Sequence, residues 1–177
     1  MDECGSNVAL TPLYAWAPRA ERATGAVPHR RGQNLTLIAA LSPDGPGAAM
    51  TLDGAADGPA FAAYVAELLV PSLRPGQVVV MDNLSVHKGA GIRRAVEGAG
   101  CTLLFLPPYS PDLAPIEQAF SKLKAALRRV GARTRATLEA AIGTALDTIT
   151  AADATGWFRF CGYPLPDPPS SDNLSAE

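Results

Sequence analysis

The chain has 177 residues, 47% of them apolar, with 15 Lys plus Arg against 17 Asp plus Glu and a formal net charge of −2. That length suits one domain with a core of its own, and the slight negative charge excludes binding to nucleic acid by bulk charge alone. No apolar run approaches the roughly 18 residues of a membrane span and no basic, apolar leader follows Met1, so the chain is read as a soluble, cytoplasmic protein without a membrane partner.

Leu35 to Leu41 (LTLIAAL) predicts a strand, Pro43-Asp44-Gly45 a turn, and Ala48 to Leu52 its hairpin partner. The period then changes. Phe61, Tyr64, Val65, Leu68 and Leu69 share one helical face. Asp57 or Gly58 could cap that helix, Pro59 suits its first turn, and Pro71 is expected to stop it. Val78 to Met81 (VVVM) is apolar throughout and predicts a strand covered on both faces, ending at Asp82. A short helix through Ile92, Ala95 and Val96 and a second buried strand over Leu103 to Leu106 follow.

The next helix starts near Ala114 or Pro115, with Ile116, Phe120, Leu123 and Leu127 as its apolar stripe. Thr134 can cap a last long helix bearing Leu138, Ile142, Leu146 and Ile149. The order predicts an α/β fold, a mixed sheet flanked by helices. Residues 1–163 are assigned to one domain. The tail from 164 to 177, rich in Pro, Ser and Asp, is expected to be disordered.

Cys4, Cys101 and Cys161 are scattered, form no C-x-x-C pair, and read as incidental thiols. Positive charge is concentrated locally. Lys122, Lys124, Arg128, Arg129, Arg133 and Arg135 form a stretch without acidic residues, and Arg19, Arg22, Arg30 and Arg31 form a looser set. Each is either a solvated face or a phosphate-binding patch.

Two acidic residues stand out by placement. Asp82 lies at the carboxyl end of a buried strand, where ligands gather in open α/β sheets. Glu117 lies in the first turn of a helix, at the border of its packed stripe, where the helix dipole favours a carboxylate. Taken singly, each also fits a turn residue or a dipole partner. No phosphate-binding G-x-x-x-x-G-K-[ST] loop exists, and Ser110 lacks the G-x-S-x-G elbow of a hydrolase.

The segments VVMDNLSVHKG (Val79 to Gly89) and LFLPPYSPDLAPIEQAFSKLK (Leu104 to Lys124) resemble the second and third signature blocks of mariner-type bacterial insertion-sequence transposases, the insertion sequence 630 family, within the retroviral-integrase superfamily. Thirty-four residues separate Asp82 from Glu117, the spacing typical of that group. DECGSN, from Asp2, resembles the block around the first carboxylate, and WFRFCGY (Trp157 to Tyr163) resembles the C-terminal end.

The resemblance implies an RNase H-like fold with its first strand truncated, and catalytic, metal-holding Asp2, Asp82 and Glu117. It implies two Mg²⁺ or Mn²⁺ ions, strand cleavage at element ends and transfer into TA targets. A homodimer on DNA, near the nucleoid, and an upstream helix-turn-helix polypeptide go with it. Lys122, Lys124, Arg128 and Arg129 would meet phosphates. Asn83 and His87 would orient Asp82 or contact DNA, although His87 equally fits a capping or packing residue. Tyr109 and Ser110 would shape the DNA channel, and Asp112 fits a helix cap.

Two departures from the pattern matter. Ala114 stands where the family usually has Asn, which removes a cap from the helix of Glu117. The family's first Asp closes a strand, whereas only Met1 precedes Asp2. The reading therefore expects weak or no transposition by this chain alone. It holds open a remnant that binds DNA or full-length transposase as a regulator, and an RNase H-like nuclease of another kind.

Overall fold

The computed structural model describes residues 1–166. Three strands pair antiparallel in the order β1 (Asp2–Ser6), β2 (Leu35–Ser42), β3 (Gly45–Asp53). Two more, β4 (Val78–Met81) and β5 (Thr102–Phe105), pair parallel. The predicted mixed sheet is thus divided into an antiparallel and a parallel block. They meet where the Met1 amino nitrogen donates to the Val80 carbonyl at 2.9 Å.

β2 is the central strand, and its alternation separates two cores. Leu35, Leu37 and Ala39 face Ile116, Phe120, Leu123 and Leu127 of α4 (Pro115–Val130) and Leu138 and Ile142 of α5 (Arg135–Asp147). Ile38 turns to the other side, against Phe61, Tyr64, Val65, Val79, Met81, Ile92, Val96 and Leu103. Each large apolar side chain so buried contributes about 1.5–3 kcal/mol relative to exposure.

β1 begins at the chain start. Asp2 opens a five-residue strand and does not close one. Its register with β2, Asp2 opposite Ala39 through Ser6 opposite Leu35, ties the segment down. The strand is hard to foresee because DECGS holds little apolar pattern.

The helix predicted at Phe61 begins as α1 (Gly58–Tyr64), capped by Asp57, whose carboxylate accepts from the Ala60 amide at 2.9 Å. A π-helical turn (Val65–Leu69) leads into α2 (Val70–Ser72). Pro71 therefore does not end the helix at Val70; the chain becomes extended only at Leu73. The wide turn before it gives the proline ring the room that a continuous α-helix denies. β4 and β5 are covered on one face rather than two: Val79, Met81 and Leu103 are buried, whereas Val78 and Leu104 are about half exposed.

After β4 come a 3₁₀ turn (Ser85–Lys88) and α3 (Ala90–Gly98), which buries Ile92 and Val96. Thr134 caps α5 as expected, but the last helix is two. α6 (Ala151–Phe160) follows, opened by a reciprocal Thr150–Asp153 capping box that the sequence displays as T-A-A-D. Between β1 and β2, residues 7–34 form neither helix nor strand and carry Arg19, Arg22, Arg30 and Arg31 exposed. The tail expectation falls, from residue 167 on, outside the described residues.

The start of α4 has no side-chain cap. Asp112, expected to supply one, sits inside a 3₁₀ turn (Pro111–Leu113), and extended Ala114 occupies the cap position (φ −110°, ψ 94°). Ala114→Asn, placed on that compatible backbone, is expected to add about 1 kcal/mol of stability. The denaturant midpoint checks this, and an unchanged or lowered midpoint would refute it.

Candidate active site

Each acidic residue is delivered by a different element. Asp2 stands at the head of β1, Asp82 directly after β4, and Glu117 in the first turn of α4. All three line one open cleft of about 380 Å³, with Asn83, Leu84, Tyr109, Ser110 and the Leu106–Pro108 segment. Sequence distance is bridged by packing: β1 is held by β2, β4 by β5, and α4 by its buried stripe.

The cleft is electrostatically tense. The carboxyl of Asp2 is pushed up to about 6, first by burial, with Asp82, Glu117 and Glu3 adding like-charge repulsion against a favourable backbone contact. That contact is the amide of Glu3, which donates to Asp2 Oδ1 at 2.7 Å. Among the described residues no Lys or Arg forms an ion pair with Asp2, Asp82 or Glu117.

Hard carboxylate oxygens not paired with Lys or Arg are the donor set that Mg²⁺ and Mn²⁺ take. The donors fit such an ion by chemistry. They do not form a closed cage: among the described residues, no three His, Cys, Asp or Glu side chains are gathered tightly enough to hold one.

His87 is fully buried, and both ring nitrogens are engaged inside the protein. Nδ1 contacts Asp82 Oδ1, Nε2 lies 2.9 Å from Glu3 Oε1, and the ring stacks on Phe61 at 4.1 Å between centroids. Burial opposes charge on the ring, but Glu3 and then Asp82 outweigh it and raise the imidazole above its ordinary value. Sequence reasoning missed Glu3. The signal was the Asp2-Glu3 pair at the head of a strand, since neighbouring side chains point to opposite faces.

The other foreseen residues divide. Asn83 and Tyr109 are in the cleft wall, Tyr109 fully exposed and at φ 57°. Lys124 lies along α4 from Glu117, beside the Cys4 thiol, whose pKa burial raises and Lys124 partly restores. Arg128 and Arg129 occupy the last turn of α4.

Lys122 is turned away to α6: its ammonium donates to the Thr148 carbonyl at 2.9 Å and to Asp153 at 2.6 Å. Arg133 donates to the Val8 and Leu10 carbonyls, and Arg135 pairs with Asp53 and Glu139.

A family profile described as DDE superfamily endonuclease matches residues 1–139. The chain belongs to this family. A search among curated proteins gives no match. Among solved structures, the mariner Mos1 paired-end complex with Mg is similar at a TM-score of 0.66 and 19% identity, over 90% of this chain and 50% of that one. The corresponding complex with Mn gives 0.65 and 18%, over the same shares. The Mos1 transposase catalytic domain with Raltegravir and Mg gives 0.58 and 16%, over 72% and 70%.

These likenesses establish the fold, a mixed α/β domain of the Mos1, RNase H-like kind. The chain spans about half the length of the Mos1 paired-end chains it matches. Among the described residues no helix is long and apolar enough to cross a membrane.

The Lys122–Asp153 link carries a pH signature. Lys122, and behind it the Thr150 amide and hydroxyl, hold the Asp153 carboxyl down to about 2. A carboxyl lowered by folding stabilises above its unfolded pKa and loses that contribution as pH falls toward the folded value. The docking of α6 is therefore expected to weaken between about pH 4 and 2. Asp153→Asn should flatten that part of the acid dependence of the melting temperature. A variant melting with the same acid slope as the parent would refute the link.

Proposed function

We propose that this chain is the catalytic unit of a cut-and-paste DNA transposase of the mariner-like, insertion sequence 630 type. The observation that carries the reading is the shared cleft of Asp2, Asp82 and Glu117, three carboxylates from three separated elements in a DDE-family chain. Residues 1–163 form the catalytic domain in this reading.

Asp2, Asp82 and Glu117 would hold two Mg²⁺ or Mn²⁺ ions. Bound there, such ions would supply an activated water or 3′-hydroxyl and stabilise the leaving oxygen. The chain's own contribution is placement. β1 and β4 present Asp2 and Asp82 from neighbouring strands, and α4 brings Glu117 from above with its dipole favouring negative charge. A bound cation would offset both the burial and the like-charge repulsion that raise the Asp2 carboxyl.

The DNA path follows the same helix. Lys124 and then Arg128 and Arg129 extend from Glu117 toward the carboxyl end of α4, where positive charge is favoured and phosphates can be met. Lys122, with its ammonium engaged by α6, holds that helix in place instead. Tyr109 and Asn83, in the cleft wall, would border a DNA strand entering it. Element ends and a TA target would be the DNA partners. The working assembly in this reading is a homodimer at the nucleoid, with element-end recognition supplied by a helix-turn-helix polypeptide.

Supercoiled-plasmid nicking in Mn²⁺ tests the reading. Removing one metal-holding carboxylate takes away several kcal/mol of transition-state stabilisation, so Asp82→Asn and Glu117→Gln are each expected to slow nicking by about 100-fold or more. Chelation should abolish it. Nicking at the parent rate in both variants would remove these residues from the mechanism.

A further inference from the structure

We propose that Glu3 and His87 form a buried positioning pair that fixes the carboxylate of Asp82 and couples it to the strand carrying Asp2. The inference deepens the metal reading above and rests on it.

The two oxygens of Asp82 are used unequally. Oδ1 accepts the Leu84 amide at 3.1 Å and also meets His87 Nδ1. Oδ2 has no hydrogen-bond partner among the described residues, and the side chain borders the cleft. One oxygen is thereby anchored from below while the other remains for a cation. A carboxylate following the last residue of a four-residue strand would otherwise turn about its χ angles at little cost.

The anchor is itself anchored. The His87 side chain is entirely buried, its ring stacked on Phe61, and its far nitrogen meets Glu3 Oε1 at 2.9 Å. The Glu3 side chain is only 15% exposed. Glu3 belongs to β1, opposite Ile38 in the register, and projects to the face away from Asp2 and Cys4. Its amide meanwhile holds Asp2 Oδ1.

A single residue therefore touches the supports of two cleft carboxylates. Its backbone restrains Asp2 directly, and its side chain restrains Asp82 through His87. Partners behind a metal ligand set its orientation, and their loss weakens metal binding though they never touch the ion.

Mn²⁺ affinity of the full 177-residue chain, read from the electron paramagnetic resonance of free Mn²⁺, tests the pair without a turnover assay. Glu3→Ala is expected to lower the affinity by about tenfold, as loss of such a partner does. Glu3→Gln, which keeps an oxygen acceptor toward His87 Nε2, should recover most of it. Both affinities are read well below the metal-free melting temperatures, where Glu3→Ala, which leaves the buried Nε2 of His87 without its partner, is expected to melt lower than Glu3→Gln.

Equal losses in Glu3→Ala and Glu3→Gln would show that Glu3 acts through charge alone and overturn the proposal. Parent-like affinity in Glu3→Ala would do the same. Asp82→Asn, run alongside, separates the failures. A parent chain that binds no Mn²⁺, or an Asp82→Asn variant that binds it unchanged, removes the metal reading and the pair with it. Weakened binding in Asp82→Asn with parent-like Glu3→Ala removes the pair alone.

Discussion

Three like charges must face one cleft, and nothing about their own chemistry keeps them there. Two unit charges 4 Å apart repel by about 4 kcal/mol at an effective dielectric of 20. Without a cation the cheapest relief is for the side chains to swing outward or for one to take a proton. The carboxylates share a cleft without closing into a cage, and the Asp2 carboxyl is pushed up to about 6, first by burial and then by the charges of Asp82 and Glu117. What resists further dispersal is backbone held by packing, so the fold's task is to place three Cα atoms, and the last adjustment is left to the side chains.

β2 does most of that placing. It is buried along its first five residues, with one side chain row against α4 and α5 and Ile38 against α1 and α3. β1 is read off β2 by register, and α4 is read off the same strand through its apolar stripe. Asp2 and Glu117 are therefore positioned against one common reference. Asp82 belongs to the parallel block, whose link to β1 by hydrogen bonding is the Met1–Val80 contact. The Glu3–His87–Asp82 contacts cross the same seam from the opposite face.

What the residues disclosed beforehand follows from which patterns are local. Asp82 is legible because an apolar run stops abruptly there, and Glu117 because a helical stripe begins beside it. The hairpin β2–β3, the cap at Asp57 and the cap at Thr134 are local as well. β1 was hidden because its pairing partner lies some 30 residues away and its own pattern is polar. The role of Glu3 needs the register and the alternation of faces before it can be seen. α6 was missed although its capping box is in plain view, because its apolar residues do not form a clear stripe. The basic stretch was legible as charge but not as partnership: Lys122, Arg133 and Arg135 are each bound to at least one group 26 or more residues away, whereas Arg128 and Arg129 form no ion pair among the described residues.

Stability and chemistry are assigned to different side chains of the same elements. On α4, Ile116, Phe120, Leu123 and Leu127 are buried, while Glu117 is exposed one position along. Asp82 follows buried Met81 in the same way, and Asp2 precedes Cys4 by two positions on one face of β1. Each cleft carboxylate is thus within two positions of a core residue and yet is not one itself. Replacing a half-exposed carboxylate by its amide removes charge without opening a cavity, whereas truncating buried apolar neighbours costs about 2–5 kcal/mol. His87 is the exception, since it is both packed against Phe61 and bonded to Asp82. Its loss would mix a packing defect with a positional one. Glu3, which reaches the same carboxylate from the margin of the core, separates those two effects.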